Sequence, residues 1–383
     1  MKKILIYNDY FFPGYKAGGP IQSIVNLIKI LEKKYQVFVF TSSTDLGKQD
    51  VYDDIKENEW NSILLPGCSM PIDVWYGSIC SIKYSNIKNI ILDLQPDYLY
   101  LNGIYSLRFF LYPILAFKQL SLNSSLVICP RGMLQKGALQ IKARKKYIFL
   151  ITLKYLHLLD KTIWHATNEE EQQDIMTYFP LHQKILIAPN IPKSPFVQWQ
   201  PSEKIEGSLR LVYLSLITEK KNLHLLLEAL TATKDSITLS VYGPLKDKGY
   251  WETKCKPIIE RLNGRVIYMG DVEPVNVQPV LATYDALAIL TKGENFGHAL
   301  YESLSVGRPL VTSYFTPWND LEKIKAGWNV DIQDVHSIIN QFNSIAAMGK
   351  KEFDEYCKGA HSLATNYFYN ENFVQSYSEL FVQ

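Results

Sequence analysis

Two carboxylates and a glycine-bearing turn sit close together between Asp285 and Ser313, at a spacing that could hold an anionic ligand. Glu294 and Glu302 are separated by seven residues, and Asn295, Phe296, Gly297 and His298 lie between them. Asp285-Ala-Leu-Ala-Ile-Leu290 is an almost wholly apolar run, the pattern of a parallel strand buried on both faces. Thr291-Lys-Gly-Glu-Asn-Phe-Gly297 is a polar turn. From His298 the pattern becomes helical through Ala299, Leu300, Ser303 and Leu304, until Gly307-Arg308-Pro309 stops it. Leu310–Ser313 is the next strand. A helix that starts at the carboxyl end of a parallel strand turns its first amides toward the edge where α/β sheets bind anions. The amides near Phe296 and Gly297 can therefore hold phosphate, and Glu294 and Glu302 surround one ligand at different depths. The plain alternative, a helix cap and a solvated face, is weaker because loop, glycine and spacing agree. His298 is open to two readings, packing at the helix start or phosphate contact.

The stretch resembles the donor-site motif of retaining glycosyltransferases of the GT-B fold, family 4. The matching features are Glu-x7-Glu with an embedded Phe-Gly, then Gly-x-Pro-x-(Val/Leu)-x-Ser from Gly307 to Ser313. Thr316-Pro-Trp-Asn-Asp-Leu321 and Ala326-Gly-Trp328 extend the resemblance toward a bacterial surface-polysaccharide subgroup. It implies that Glu302 accepts hydrogen bonds from ribose hydroxyls and that Glu294 faces the transferred sugar. Asn295, Phe296, Gly297 and His298 would complete this side of the donor site. A second element is Leu214-Ser-Leu-Ile-Thr-Glu-Lys-Lys-Asn-Leu223. Family members place an Arg ahead of a Lys that is followed by Gly or Asn, and both cations neutralise the leaving diphosphate. Lys221 and Asn222 match, but Leu216 stands at the Arg position. Losing one such donor costs about 100- to 1,000-fold in rate. Either Arg131, Lys220 or Lys292 substitutes, or the enzyme is slow or silent.

The totals set limits. The chain has 383 residues, 47% of them hydrophobic, enough for two domains with two cores. Forty basic against 38 acidic residues leave a net charge of +2, so nothing global points to nucleic acid. Five scattered cysteines with no C-x-x-C pair read as reduced core thiols of a cytosolic protein. Met-Lys-Lys followed at once by a strand is not the pattern of a signal peptide, and no apolar run approaches the ~20 residues that span a bilayer. No Asp-x-Asp occurs, so the usual acidic site for a metal–diphosphate is missing and a metal-independent reaction is expected.

Taken in order, Ile4–Tyr7, Val37–Thr41, Ile63–Leu65, Tyr98–Leu101, Leu126–Cys129 and Ile163–His165 read as strands, with a helix at Ile21–Leu31. Thr44–Asn61 is polar and acidic, a surface excursion. Gly18-Gly19-Pro20 precedes the first helix and lets backbone approach a ligand; in the resembled family this loop faces the donor diphosphate. Neither G-x-G-x-x-G nor G-x-x-x-x-G-K-[ST] occurs, which disfavours a dehydrogenase or a P-loop NTPase. Arg131 follows a strand, where a guanidinium could bind phosphate or sugar hydroxyls or simply fix its loop. Residues 137–161 form a long basic-aromatic helical pattern carrying Lys142, Arg144, Lys145, Lys146, Lys154 and Lys161. Such a helix can lie on an anionic membrane, or bury one face under a lysine rim. His165 reads as a satisfied strand-end histidine, and Thr167 or Asn168 as an N-cap with glutamates in the first turn. Tyr242-Gly-Pro244 and Met269-Gly-Asp271 end strands, either against the nucleoside, as the resemblance implies, or as plain turns.

The expected fold is α/β, two Rossmann-like doubly wound parallel-sheet domains facing a central cleft, the GT-B architecture. Residues 1–188 would form the acceptor-side domain, 189–208 a Pro-rich linker, 209–365 the donor domain, and 366–383 a helix returning to the first domain. The second domain's strands are read at Leu209–Leu214, Thr238–Tyr242, Arg265–Tyr268, Asp285–Leu290, Leu310–Ser313 and Trp328–Val330. The resemblance then implies transfer of a hexose-type sugar from a nucleotide-diphosphate sugar to a glycan or lipid-linked acceptor of surface-polysaccharide biosynthesis. Glu294, Lys221 and Arg131 are the catalytic candidates. Gly18, Gly19, Lys221, Asn222, Asn295, Phe296, Gly297, His298 and Glu302 would bind the donor, with no metal and no cofactor. The expected location is cytoplasmic, peripheral on the inner face of the plasma membrane through 137–161. A silent GT-B protein, or an epimerase or phosphorylase on the same fold, are the alternatives.

Overall fold

Parallel strands buried on both faces need apolar runs, and the chain supplies two series of them. In a computed structural model, which describes residues 1–140, 143–180, 184–196, 198–199 and 201–381, they build two units. One is Met1–Ile191 with Asn372–Gln383, the other Pro192–Glu371.

The first unit holds β1 (Lys2–Tyr7), β2 (Tyr35–Ser42), β3 (Trp60–Ile63), β4 (Ile72–Gly77), β5 (Tyr98–Asn102), β6 (Ser125–Cys129), β7 (Ile163–Ala166) and β8 (Lys184–Ile187). Their order is β3-β4-β2-β1-β5-β6-β7-β8. All neighbours pair in parallel except β3, which runs antiparallel to β4. The all-parallel expectation is corrected at this edge. The strand read at Ile63–Leu65 begins earlier, at Trp60, because the Trp60 ring packs edge-on against Trp75 and Phe38. Strands β4 and β8 have no counterpart in the sequence reading. The helix Gly19–Leu31 buries Ile21, Ile24, Val25, Leu27, Ile28 and Leu31, the spacing of one apolar face.

The second unit carries β9 (Leu209–Leu214), β10 (Ile237–Tyr242), β11 (Val266–Gly270), β12 (Ala286–Ile289), β13 (Leu310–Ser313) and β14 (Gly327–Val330). They form one parallel sheet ordered β11-β10-β9-β12-β13-β14. The order reverses between β9 and β12, and the loops after these two strands therefore flank a topological switch point, where α/β sheets bind ligands. Helices Val335–Ala347 and Lys350–Asn370 complete this unit, whereas Phe373–Phe381 belongs to the first. Lys204 is buried and its Nζ donates to the carbonyls of Ile205, Ala346 and Met348, tying the incoming chain to a helix end.

Three of the five cysteines are buried, but Cys80 is exposed and Cys68 half-buried, so the core-thiol reading holds only for Cys129, Cys255 and Cys357. Within the basic-aromatic stretch the described residues hold helices Lys136–Gln140 and Ala143–Tyr155, and Lys142 lies outside the described residues. Among the described residues no helix is long and apolar enough to cross a membrane.

Candidate active site

The second unit gathers most of the candidate residues. After β9 the chain makes a short turn, Glu219–Lys221, and Asn222 takes the left-handed conformation (φ 61°) before the helix Leu223–Thr231. Asparagine tolerates that conformation better than most residues. The turn is clamped to the loop after β12. Lys292 N donates to Lys220 O at 2.9 Å, and Thr291 Oγ1 to the same carbonyl at 3.3 Å. This brings the Lys221 ammonium onto Glu294 Oε2 as an ion pair, with 17% and 18% of the two side chains exposed. Burial alone would raise the Glu294 pKa, but Lys221, by charge and hydrogen bond, with help from Lys220, holds it below the usual carboxylate range. The Asn295 amide reaches Glu294 Oε1 at 3.3 Å, and Glu294 N donates to Phe315 O at 2.9 Å.

Gly297 starts the helix His298–Ser305 at φ 78°. A Cβ there would stand 2.7 Å from Leu300 Cδ1 and 3.0 Å from Glu294 Cγ, so the glycine is what lets the Glu294 side chain lie against the helix start. The ring of Phe296 is buried among His298, Tyr301, Trp318 and Tyr367, and Trp318 Nε1 donates to Phe296 O at 2.7 Å. The Phe296 side chain is thus a packing element that fixes the loop, and only its backbone is left for a ligand. The His298 ring stands edge-on to Phe296 with centroids 4.9 Å apart, the packing arrangement of the two readings given above. Trp318 explains the Thr316–Leu321 segment, which supports the same loop from beneath.

Glu302 is nine-tenths buried on this helix. Its Oε1 meets Lys193 Nζ at 2.9 Å. Lys193 lies in the segment read from sequence only as a linker, and that reading did not place it beside Glu302. A cation in a Pro-rich stretch was the available signal.

The loops after β9 and β10 are zipped together. Ser215 N donates to Tyr242 O and Ile217 N to Pro244 O. Gly243 has φ 129°, and a Cβ on it would fall 1.9 Å from Ser215 O. This glycine is required by backbone meeting backbone, with no ligand needed to explain it. Leu216, at the expected Arg position, is half-buried. Lys220 and Lys292 do lie on the two clamped loops, although Lys292 is drawn to Glu219 at 3.7 Å on the surface.

The remaining candidates belong to the first unit. Gly18 (φ 73°) is the N-cap of the helix Gly19–Leu31, without a side-chain cap, and Pro20 lies in the first turn. A Cβ on Gly18 would meet nothing within 4 Å, so its need is conformational. Arg131 donates Nε to Asn102 (3.1 Å), Nη1 to Asn190 (2.6 Å) and Nη2 to the Tyr100 hydroxyl (3.1 Å). These bonds favour the loop-fixing reading over a free catalytic cation. The chain continues inward, with the Tyr100 hydroxyl 2.7 Å from His165 Nδ1 and His165 Nε2 2.8 Å from Ala188 O. The carbonyl only accepts, so Nε2 carries the proton and Nδ1 accepts from Tyr100. Burial, then the Arg131 charge, push the His165 pKa down to about 3. Asn168 caps the next helix by accepting from Glu171 N, and the Glu171 carboxylate accepts from Thr167 N, one residue ahead of the cap.

The second unit thus sets a paired lysine and glutamate at a helix start on the edge of a parallel sheet. Residues 198–358, within the second unit, match the sequence profile of the family described as Glycosyl transferases group 1. The whole chain has the fold of solved enzymes of this class. Anabaena Alr3699/HepE, crystallised with UDP and glucose, superposes with a TM-score of 0.73 at 14% identity over 100% of both chains. Sucrose-phosphate synthase from Thermosynechococcus elongatus gives 0.74 at 14% identity, over 100% of this chain and 99% of that one. WaaG, a glycosyltransferase involved in lipopolysaccharide biosynthesis, gives 0.62 at 13% identity, over 99% and 98%. A comparison with curated proteins found no match.

Proposed function

We propose that the protein transfers a hexose-type sugar, with retention and without a metal, from a nucleotide-diphosphate sugar to a hydroxyl of a glycan or lipid-linked acceptor in cell-surface polysaccharide synthesis. The observation that carries this reading is the Lys221–Glu294 pair at the start of the helix bearing Glu302. Lys221 is the cation for the leaving diphosphate, and the helix amides add to it. Glu294 faces the sugar and Glu302 the ribose. In the transfer, the bond from the anomeric carbon to the diphosphate oxygen breaks and a bond to the acceptor oxygen forms on the same face. The acceptor proton passes to an oxygen of the departing phosphate. No separate base is invoked, and catalysis is positioning plus charge stabilisation. Because HepE was crystallised with UDP-glucose, a UDP-sugar is the first donor to try. The test is donor hydrolysis against UDP-, GDP-, dTDP- and ADP-sugars, with and without EDTA, beside Glu302→Ala. Release of one nucleoside diphosphate, unaffected by EDTA and weakened in the variant, is the expected result. A second reading, a silent protein that binds the donor without turnover, draws on Leu216. Tight binding with no release, even with acceptors present, would select it.

The helix Ala143–Tyr155 supports peripheral membrane contact on the inner face of the plasma membrane. Leu150 and Leu153 are buried, yet Tyr147, Ile148, Ile151, Tyr155 and Leu156 are 48–81% exposed beside Arg144, Lys145 and Lys154. One buried face with a lysine rim would not leave five large apolar side chains in water. Apolar anchors among cations suit an anionic lipid surface. Vesicles containing phosphatidylglycerol should sediment the protein and pure phosphatidylcholine vesicles should not. Arg144→Glu/Lys145→Glu/Lys154→Glu should abolish the difference, and equal binding to both vesicle types would rule the contact out.

A further inference from the structure

Glu302 presents an asymmetry. Its Oε1 is paired with Lys193 at 2.9 Å, while among the described residues Oε2 accepts no hydrogen bond. Lys193 is no loose surface lysine, since 21% of its side chain is exposed and its Nζ also donates to Pro274 O, beyond the end of β11. The segment that carries it is fastened to the helix bearing Glu302. Gln278 Nε2 donates to Ser194 O at 3.2 Å and to Ser305 Oγ at 2.9 Å. Phe196 N donates to Ser305 O at 3.2 Å, and His361 Nε2 is 2.7 Å from Phe196 O. Ser305 Oγ in turn donates to Glu302 O at 2.7 Å. A buried carboxylate needs a cation or donors to stay ionised and in one rotamer. Lys193 supplies the cation without covering both oxygens.

We propose that Lys193 is a positioning residue of the donor site, holding Glu302 by Oε1 so that Oε2 receives the ribose hydroxyls of a nucleoside diphosphate. This rests on the donor-site reading above. Two of the three N–H groups of Lys193 are bound by Glu302 and Pro274. The opposing possibility is that the lysine occupies the place of the ribose and must leave when the donor binds. The two make opposite predictions on removing it. Burial raises the Glu302 pKa and Lys193 opposes that rise, so an Oε2 without its lysine should accept less well as the pH falls.

The test is calorimetric titration of the full-length protein with UDP, GDP, dTDP and ADP between about pH 5.5 and 8.5, using whichever the wild type binds. Lys193→Met should weaken binding about tenfold, the scale of losing one charge-assisted restraint on the carboxylate, and the deficit should widen toward acid. Lys193→Arg should recover most of the affinity, which a purely structural defect would not predict. In a Glu302→Gln background the Lys193→Met change should add little at any pH, so the widening of its deficit toward acid should vanish. Equal or tighter binding by Lys193→Met, or an undiminished loss in the Glu302→Gln background, would overturn the proposal. Should Lys193→Met not fold, Lys193→Arg and Lys193→Gln carry the comparison. A wild type that binds none of the four would instead overturn the donor-site reading itself, and this inference with it.

Discussion

At the scale of single residues, the site depends on how one buried carboxylate is held. Lys221 keeps Glu294 ionised below the usual carboxylate range. Replacing it by methionine removes both the diphosphate cation and that restraint. Lys221→Met should therefore lower donor turnover by about 100- to 1,000-fold. What activity remains should lose its acid limb at a higher pH than the wild type, as read from pH–rate profiles of donor hydrolysis. Gly297→Ala tests the neighbouring contact. A non-glycine residue at φ 78° costs about 1–2 kcal/mol, and the new Cβ would push on Glu294 Cγ. Denaturant unfolding should register that loss and donor affinity should fall with it. Glu294, Glu302 and Gly297 were legible as candidates because a strand, a turn and a helix start impose fixed spacings on them, and Lys221 because its stretch resembles a family motif. Lys193 was not, since its partner comes from a distant part of the chain and no local pattern announces a pair formed only by folding.

At the scale of elements, the loops that carry these residues are held by backbone. Gly243→Ala would drive a Cβ into Ser215 O, which no side-chain rotation can relieve. It should destabilise the second unit and release the Lys221 turn, which circular dichroism melting and donor titration would detect together. The strands with continuous apolar runs, such as β1, β9, β12 and β13, were readable because burial on both faces leaves a composition signature. Strand β8 was missed because its four residues lie at an edge and half exposed. In Ile72-Asp-Val-Trp-Tyr-Gly77, β4, an aspartate interrupts the apolar run. The helix at 137–161 was overextended in the sequence because lysines and apolar residues alternate there without a clean face.

At the scale of the whole molecule, the two units carry separate cores, and acid should strain the first through His165. Its pKa is near 3 in the fold against 6.5 unfolded, so the unfolded chain binds the extra proton between those values. The stability this histidine contributes is fully present above pH 6.5 and is lost as the pH falls toward 3. Protection factors of the β5 and β7 amides, taken against the intrinsic exchange rate at each pH, should fall over that window, and His165→Gln should flatten the dependence even though it weakens the fold at neutrality. The first unit is also discontinuous. Phe381 packs its ring on Tyr35, Tyr98 and Tyr100, and the Tyr377 hydroxyl donates to Pro189 O at 3.1 Å. Ending the chain after Glu371 should therefore lower the melting of the first unit and spare the second. The same arrangement sets an order of birth on the ribosome, where chains emerge from the N-terminus and domains fold as units. The second unit, contiguous in sequence, can close while the nascent chain is still being made. The half that was translated first must wait, its tyrosines uncovered, until residues 372–381 have left the exit tunnel.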